Sequence, residues 1–182
     1  MIERMPAAIG TLIRAFARVR RDREAHLVIV GDDRKAGKDA GYRAELAALP
    51  EQLGVAEDVD FVGAVANPFP YMRRASVFAL SSAWEGLGNV VIEALACGCP
   101  VVSTNCPSGP REILEDGRYG ELVPVGDDEA MAAAIQRVLS EPPDPDRLRA
   151  RGADFTVARA VDQYLELCFG KAPSPLRPAP PA

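Results

Sequence analysis

The sequence predicts a Rossmann-like α/β domain, a parallel sheet with helices on both faces. Three observations carry this prediction. Short apolar runs rich in β-branched residues recur along the chain, bounded by glycine, proline, serine or aspartate, as strands buried on both faces do. Segments with apolar residues at helical spacing separate these runs, so successive strands need crossover connections and pair in parallel. The length, 182 residues with 48% apolar and 26% charged side chains, suits one domain with a sizeable core.

Residues 11–21, TLIRAFARVRR, place Leu12, Ile13, Phe16 and Val19 on one helical face and arginines on the other. HLVIVGDD (26–33) reads as a buried strand entering a loop. Residues 38–53 read as a helix with Gly41 and Pro50 near its ends. DVDFVGAV (58–65) is a second strand, Asn67 to Arg74 a short helix opened by Asn-Pro, and SVFALSS (76–82) a third strand. A helix from Asn89 to Cys97, a strand PVVST (100–104), a short helix from Ser108 to Leu114 and a strand GELVPV (120–125) continue the alternation. Asp127 to Leu139 is an Ala-rich helix with acidic residues in its first turn, where the helix dipole favours them.

PPDPD (142–146) interrupts the chain, and two helical segments follow at about Arg147 to Asp154 and Val157 to Cys168. The expected organisation is a Rossmann-like domain over 7–141, C-terminal helices over 142–170 and a tail over 171–182. Five prolines in the last eleven residues predict a mobile polyproline-type extension there.

A net charge of -5 argues against nucleic acid as a general partner, because phosphate backbones need a clustered basic face. No apolar run approaches the roughly 20 residues of a membrane span, and Met1 to Pro6 lacks a signal-peptide core; a cytoplasmic chain is the expectation. The four cysteines, Cys97, Cys99, Cys106 and Cys168, read as reduced, mostly buried thiols. Cys-x-Cys with the single histidine, His26, far away in sequence is a poor zinc signal, so no metal is expected and His26 receives no role.

SSAWEGLGNVVIEALACGCPVVST (81–104) carries two glutamates, Glu85 and Glu93, eight positions apart across a Gly-rich turn and an apolar run. Ligands of parallel α/β sheets bind outside the carboxyl ends of the strands, which places Ala83 to Gly88 on that rim. Gly86 and Gly88 permit positive φ and close backbone approach. The helix that starts near Gly88 or Asn89 offers free N–H groups to a phosphate. Glu93, one turn inside this helix among Val90, Val91, Ile92, Leu95 and Ala96, needs partners, and the vicinal diol of a ribose could supply them. Spacing alone also admits a helix-surface Glu93 and a solvated Glu85.

EGLGNVVIE, ALACGCPVVST and NCPSGPREILEDGRYGELVPVGD resemble the C-terminal domain of retaining GT-B-type glycosyltransferases, in particular glycosyltransferase family 4. The resemblance runs from about Thr11 to Leu139 and includes LIRAFARV, LVIVGDD, VDFVGAV and SVFALSSAWEG in the same order. It implies that Glu93 binds the ribose hydroxyls of a nucleotide and that Glu85 is the catalytic-site glutamate near the transferred sugar. The backbone of Gly86, Leu87, Gly88 and Asn89 would contact sugar and diphosphate. Gly31, Asp32, Gly63, Ala64 and Val65 correspond to positions lining the nucleotide, although Gly31 and Gly63 read equally well as simple strand ends. Arg111 could reach an anion, and Trp84 is expected at the cleft edge.

The implied reaction is hexosyl transfer from a sugar nucleotide, with a lean toward a UDP-sugar, with retention and without an obligatory metal. Departing-diphosphate stabilisation, more than a protein base, would carry the rate. A free-standing sugar-nucleotide binding module without catalysis, and more weakly a sugar-nucleotide epimerase, are the alternatives. A full-length enzyme of this kind is expected cytoplasmic or peripheral at the inner membrane face.

Two departures from the resemblance matter. The N-terminal, acceptor-binding domain of such enzymes is missing from this chain. The first strand of the C-terminal domain, with its Gly-Arg end and following lysine, is also missing: MIERMPAAIG precedes TLIRAF, and Ala7 or a neighbour stands at the lysine's place. That strand belongs in the middle of the sheet, so its loss should expose apolar edges unless residues 1–6 or another copy fill the gap. A homodimer or poor solubility is the expectation.

Overall fold

The computed structural model describes residues 6–31 and 40–170. Asp32, the first five residues and the proline-rich tail lie outside the described residues. The order is α1 (Pro6–Asp22), β1 (Leu27–Val30), α2 (Ala40–Gln52), β2 (Val59–Gly63), α3 (Phe69–Arg74), β3 (Phe78–Leu80), α4 (Asn89–Ala96), β4 (Val101–Thr104), α5 (Pro110–Ile113), β5 (Glu121–Val123), α6 (Asp128–Ser140), α7 (Pro145–Gly152) and α8 (Val157–Phe169). The alternation is the expected one. The largest boundary difference is in α1, which starts at Pro6 and not near Thr11; proline suits a first turn, and Ala7 and Ala8 are strong helix formers.

Among the described residues the strands pair in parallel, in two pieces. β1 pairs with β2, and β3, β4 and β5 form a separate three-stranded sheet in that order. The division falls between β1 and β3, where the sequence analysis expects a gap. No β3 residue pairs with β1 among the described residues, and Val28 and Val30 remain 40% and 36% exposed in a run that reads as fully buried.

Alternation along the strands sorts the core into two layers. Val102, Val123 and Ala79 pack with Ala15 and Val19 of α1 and with α6. Val101, Leu122, Phe78 and Leu80 pack on the other face with Val91, Ala94 and Leu95 of α4 and Leu148 of α7. Leu27 and Ile29 of β1 share a smaller cluster with Phe16 and Ala17 of α1. β4, paired on both edges and covered on both faces, is 0–1% exposed from Val101 through Thr104.

Helix ends follow the sequence. Asp127 caps α6 by accepting from the Ala130 N–H at 2.8 Å, and Asp144 caps α7 by accepting from the Asp146 N–H at 2.9 Å, with Pro145 in the first turn. α7 then lies directly against α4: a Cβ on the buried Gly152 would stand 2.6 Å from the Ala96 nitrogen. Glycine is therefore needed there for space, which the sequence does not announce. The cysteines divide. Cys99 and Cys106 are buried, Cys97 is half-buried and Cys168 exposed, so "mostly buried" holds for only two of the four. Burial, with Cys97 nearby, pushes the Cys99 thiol up to about 12, which keeps it an inert core group.

Asp154, between α7 and α8, accepts from Arg151 at 3.2 Å and from Arg159. Burial raises its pKa, but the hydrogen bonds from Arg159 and Arg151 outweigh this and the net direction is down. A depressed carboxylate contributes stability that is present above the unfolded-state aspartate value of about 3.9 and lost as pH falls through its folded value. Acid titration followed by amide exchange should therefore loosen the α7–α8 junction below about pH 4. In Asp154→Asn that acid-dependent step should disappear, and an unchanged step would assign it to other carboxylates.

Candidate functional site

The carboxyl ends of β1, β2 and β3 meet one broad cleft that also runs along the strands, with Gly31, Gly63, Ser82, Ala83, Trp84, Glu85, Val90 and Glu93 in its wall. The two glutamates thus share one cleft although they belong to different elements. Gly31 and Gly63 meet there as well: the Gly31 N–H donates to the Gly63 carbonyl at 2.9 Å, so they close the β1–β2 ladder as well as lining the cleft. Ala64 and Val65 follow on the β2 loop, Ala64 exposed and Val65 half-buried, and neither is on the cleft wall. Trp84 stands at the edge but is 72% exposed, so it packs little.

Glu85 is held from beneath. The Thr104 hydroxyl, at the end of β4 and 0% exposed, donates to the Ser82 carbonyl at 2.5 Å. The Ser82 hydroxyl in turn donates to the Glu85 carboxylate at 2.6 Å. This chain runs from the sheet core to the rim loop and fixes the side-chain direction of Glu85. Cys106 lies below it, its thiol pKa pushed up by burial, with the Glu85 charge acting in the same direction. Sequence reasoning did not assign Ser82 and Thr104 to the site; hydroxyl residues at two adjacent strand ends were the available signal.

Glu93 arises from helical geometry. Val91, Ala94 and Leu95 form the buried face of α4, which leaves Glu93 half-buried at the side of that face. Among the described residues its carboxylate has no hydrogen-bond or ion-pair partner. The start of α4 is also open. Gly88 caps it in the left-handed region (φ 78, ψ 48) without a side-chain hydrogen bond; the Val91 N–H donates to the Gly88 carbonyl at 2.9 Å, which leaves the Asn89 and Val90 N–H groups available to an anion. Gly86, Leu87, Gly88 and Asn89 lead into that end; Gly88 is buried and the other three are exposed.

A second glycine fixes this turn. Gly109, just before α5, has φ +79 and ψ -77, and a Cβ on it would stand 2.0 Å from the Leu87 carbonyl oxygen. The two loops therefore interlock backbone against backbone. Arg111 is exposed and paired with Asp116. His26, just before β1, pairs with Asp60 of β2 at 2.9 Å at the amino ends of these strands, where it also lines the cleft. Among the described residues no cluster of three or more histidine, cysteine or acidic side chains could hold a metal.

Residues 1–141 match the family profile of glycosyl transferases group 1. The chain belongs to this family. Among curated members, it is 38% identical over 154 residues to the N-acetylgalactosamine-N,N'-diacetylbacillosaminyl-diphospho-undecaprenol 4-alpha-N-acetylgalactosaminyltransferase of Campylobacter jejuni, covering 84% of this chain and 39% of that protein. It is 35% identical over 166 residues to the lipopolysaccharide core biosynthesis glycosyltransferase LpsE of Rhizobium meliloti, covering 88% and 46%. The chain thus spans less than half the length of these glycosyltransferases.

Solved glycosyltransferase structures share the fold. One from Rickettsia africae superposes with a TM-score of 0.76 at 20% identity over 91% of this chain and 45% of that one. Sucrose-phosphate synthase from Thermosynechococcus elongatus gives 0.74 at 28% identity over 90% and 41%. Anabaena HepE in complex with UDP-glucose gives 0.59 at 25% identity over 83% and 46%. The parallel α/β architecture is that of GT-B glycosyltransferases.

Proposed function

We propose that this chain is the donor-binding half of a retaining family 4 glycosyltransferase that transfers a hexosyl group from a sugar nucleotide. The observation that carries the reading is the Glu93 carboxylate, half-buried and without a partner among the described residues, in the same cleft wall as Glu85. A carboxylate in that setting is costly until donors reach it, and a ribose diol offers two.

In this reading Glu93 accepts the two ribose hydroxyls, the open start of α4 faces the diphosphate, and Glu85 faces the hexose. The Ser82–Thr104 support holds Glu85 in place as charge develops on the leaving diphosphate. Gly31 and Gly63, with Asp32 next to Gly31 in sequence, border the base and ribose, and Ala64 and Val65 stand behind them on the β2 loop. A UDP-sugar is the favoured donor, supported by the HepE structure with UDP-glucose. Acceptor recognition belongs to a second, N-terminal domain, in keeping with the 39% and 46% of the two relatives that this chain covers. The complete enzyme works in the cytoplasm or at its membrane face without an obligatory metal, which nucleotide-sugar binding undiminished by a chelator would support.

Glu93→Ala is the direct test. Losing a bidentate charge-assisted contact should weaken UDP-glucose binding about 30-fold, on the order of 2 kcal/mol, in calorimetry. Unchanged affinity in a folded Glu93→Ala protein would remove Glu93 from the ribose.

A further inference from the structure

Trp84 is the only tryptophan of the chain, and its large apolar ring stands exposed in the cleft wall beside Glu85. Single exposed hydrophobes are ordinary on a protein surface, but this one has company. Leu87 on the same loop and Val90 in the first turn of α4 are exposed as well, and Val90 shares the cleft wall. Apolar side chains thus stand on both sides of the half-buried Glu85 in sequence.

The loop that carries the indole is pinned at both ends. The Ser82 hydroxyl donates to the Glu85 carboxylate at 2.6 Å, which closes a turn around Trp84, and the Thr104 hydroxyl holds the Ser82 carbonyl. Downstream, Gly109 meets Leu87 backbone against backbone. Trp84 is therefore a rigid ring on a fixed turn, and among the described residues its indole N–H has no hydrogen-bond partner. Buried indoles usually find one, and binding sites combine such aromatic surface with a few placed polar groups.

An aromatic face next to a carboxylate selects a ligand that is apolar on one face and hydroxylated at its edge. A pyranose ring is such a ligand. Its axial C–H groups meet the negative face of the indole, while its hydroxyls donate to the neighbouring carboxylate. A hydrocarbon chain would cover the ring but also desolvate Glu85 without a donor.

We propose that Trp84 is a stacking platform for a pyranose ring and a determinant of which sugars the cleft accepts. The donor hexose and an acceptor sugar present the same C–H face, and the first of these sources rests on the reading of Glu85 as facing the hexose. A sugar whose hydroxyl is axial on the stacked face would lose contact with the indole, so the platform discriminates between epimers.

Because the chain has one tryptophan, its emission reports the contact directly. UDP, UDP-glucose and methyl α-glucoside are titrated separately into the full chain. A saturable emission change with UDP-glucose beyond that with UDP assigns the ring to the donor hexose. A change with methyl α-glucoside, while UDP-glucose matches UDP, assigns it to an acceptor sugar. Calorimetry with the sugar ligand that shifts the emission should give about tenfold weaker binding in Trp84→Ala and a return to within about threefold of the parent in Trp84→Phe. Trp84→Leu keeps apolar area without the aromatic face and should stay near the alanine value. The side chain is exposed, so the melting temperature should hold in all three variants. Emission unchanged by both sugars, a UDP response as large as that of UDP-glucose with the glycoside silent, or recovery by leucine equal to that by phenylalanine would overturn the proposal. A glycoside response without any UDP binding would count against the donor reading alone, so the two failures are separable.

Discussion

Gly109→Ala is expected to lower the unfolding midpoint by about 6–12 °C, corresponding to roughly 3 kcal/mol in a domain of this size. Two costs combine. The backbone at φ +79 and ψ -77 lies where L-residues are strained by about 1–3 kcal/mol. The new methyl would also sit 2.0 Å from the Leu87 carbonyl oxygen, and that neighbour is backbone that cannot rotate away. Leu87 precedes the Gly88 cap of α4, so relief of the clash displaces the end of the helix assigned to the diphosphate. UDP-glucose affinity should fall together with stability.

Gly126→Ala separates the two costs. Gly126 has φ +80, but a Cβ there meets nothing within 4 Å, so only backbone strain remains. Scanning calorimetry of both variants should give a clearly smaller shift for Gly126→Ala, with donor binding intact. Equal shifts would show that the Gly109–Leu87 approach does not matter.

Arg151→Ala should destabilise the chain by about 3 kcal/mol, in the range for stranding buried hydrogen-bonded groups. The guanidinium, 12% exposed, donates to the Ile113 carbonyl at 2.8 Å and the Glu112 carbonyl at 2.9 Å. It also pairs with Glu115 at 3.0 Å and Asp154 at 3.2 Å, and lies over the rings of Tyr119 and Phe155. One planar fork thus ties α7 to the end of α5. Removing it leaves the Ile113 carbonyl without its donor and the Phe155 ring uncovered, while the Glu112 carbonyl keeps the Glu115 N–H at 3.2 Å and Tyr119 keeps Arg118 and Arg147. Arg151→Lys should recover only part of the loss, because an ammonium lacks the fork geometry. Denaturant unfolding of the three proteins checks this; full recovery by lysine would mean that charge alone matters.

Arg151 and Gly152 also show why parts of the structure were not legible beforehand. Within RLRARGADF they look like a solvent-facing helix end, since periodicity reports which face is apolar but not which partner that face meets. The closeness of α7 to α4, which makes Gly152 necessary, depends on a contact between segments more than 50 residues apart. Gly109 is similar. Its sequence context says turn, but the requirement for glycine comes from Leu87 on another loop. Ser82 and Thr104 looked like strand ends, and only the superposition of β3 and β4 at one rim made them a support for Glu85.

Local chemistry, by contrast, determined the order of elements, the parallel pairing, the α6 cap at Asp127 and the placement of Glu85 on a rim loop and Glu93 inside α4. These depend on hydrophobic periodicity, turn residues and strand direction, all of which act over a few neighbouring residues. Tertiary structure alone decided that Ser82 and Thr104 support Glu85, that Leu87 meets Gly109, and that Glu93 lacks a protein partner among the described residues. Those outcomes depend on which distant backbone edges and side chains meet, and hydrogen bonding and burial between distant segments are settled only when the chain is packed.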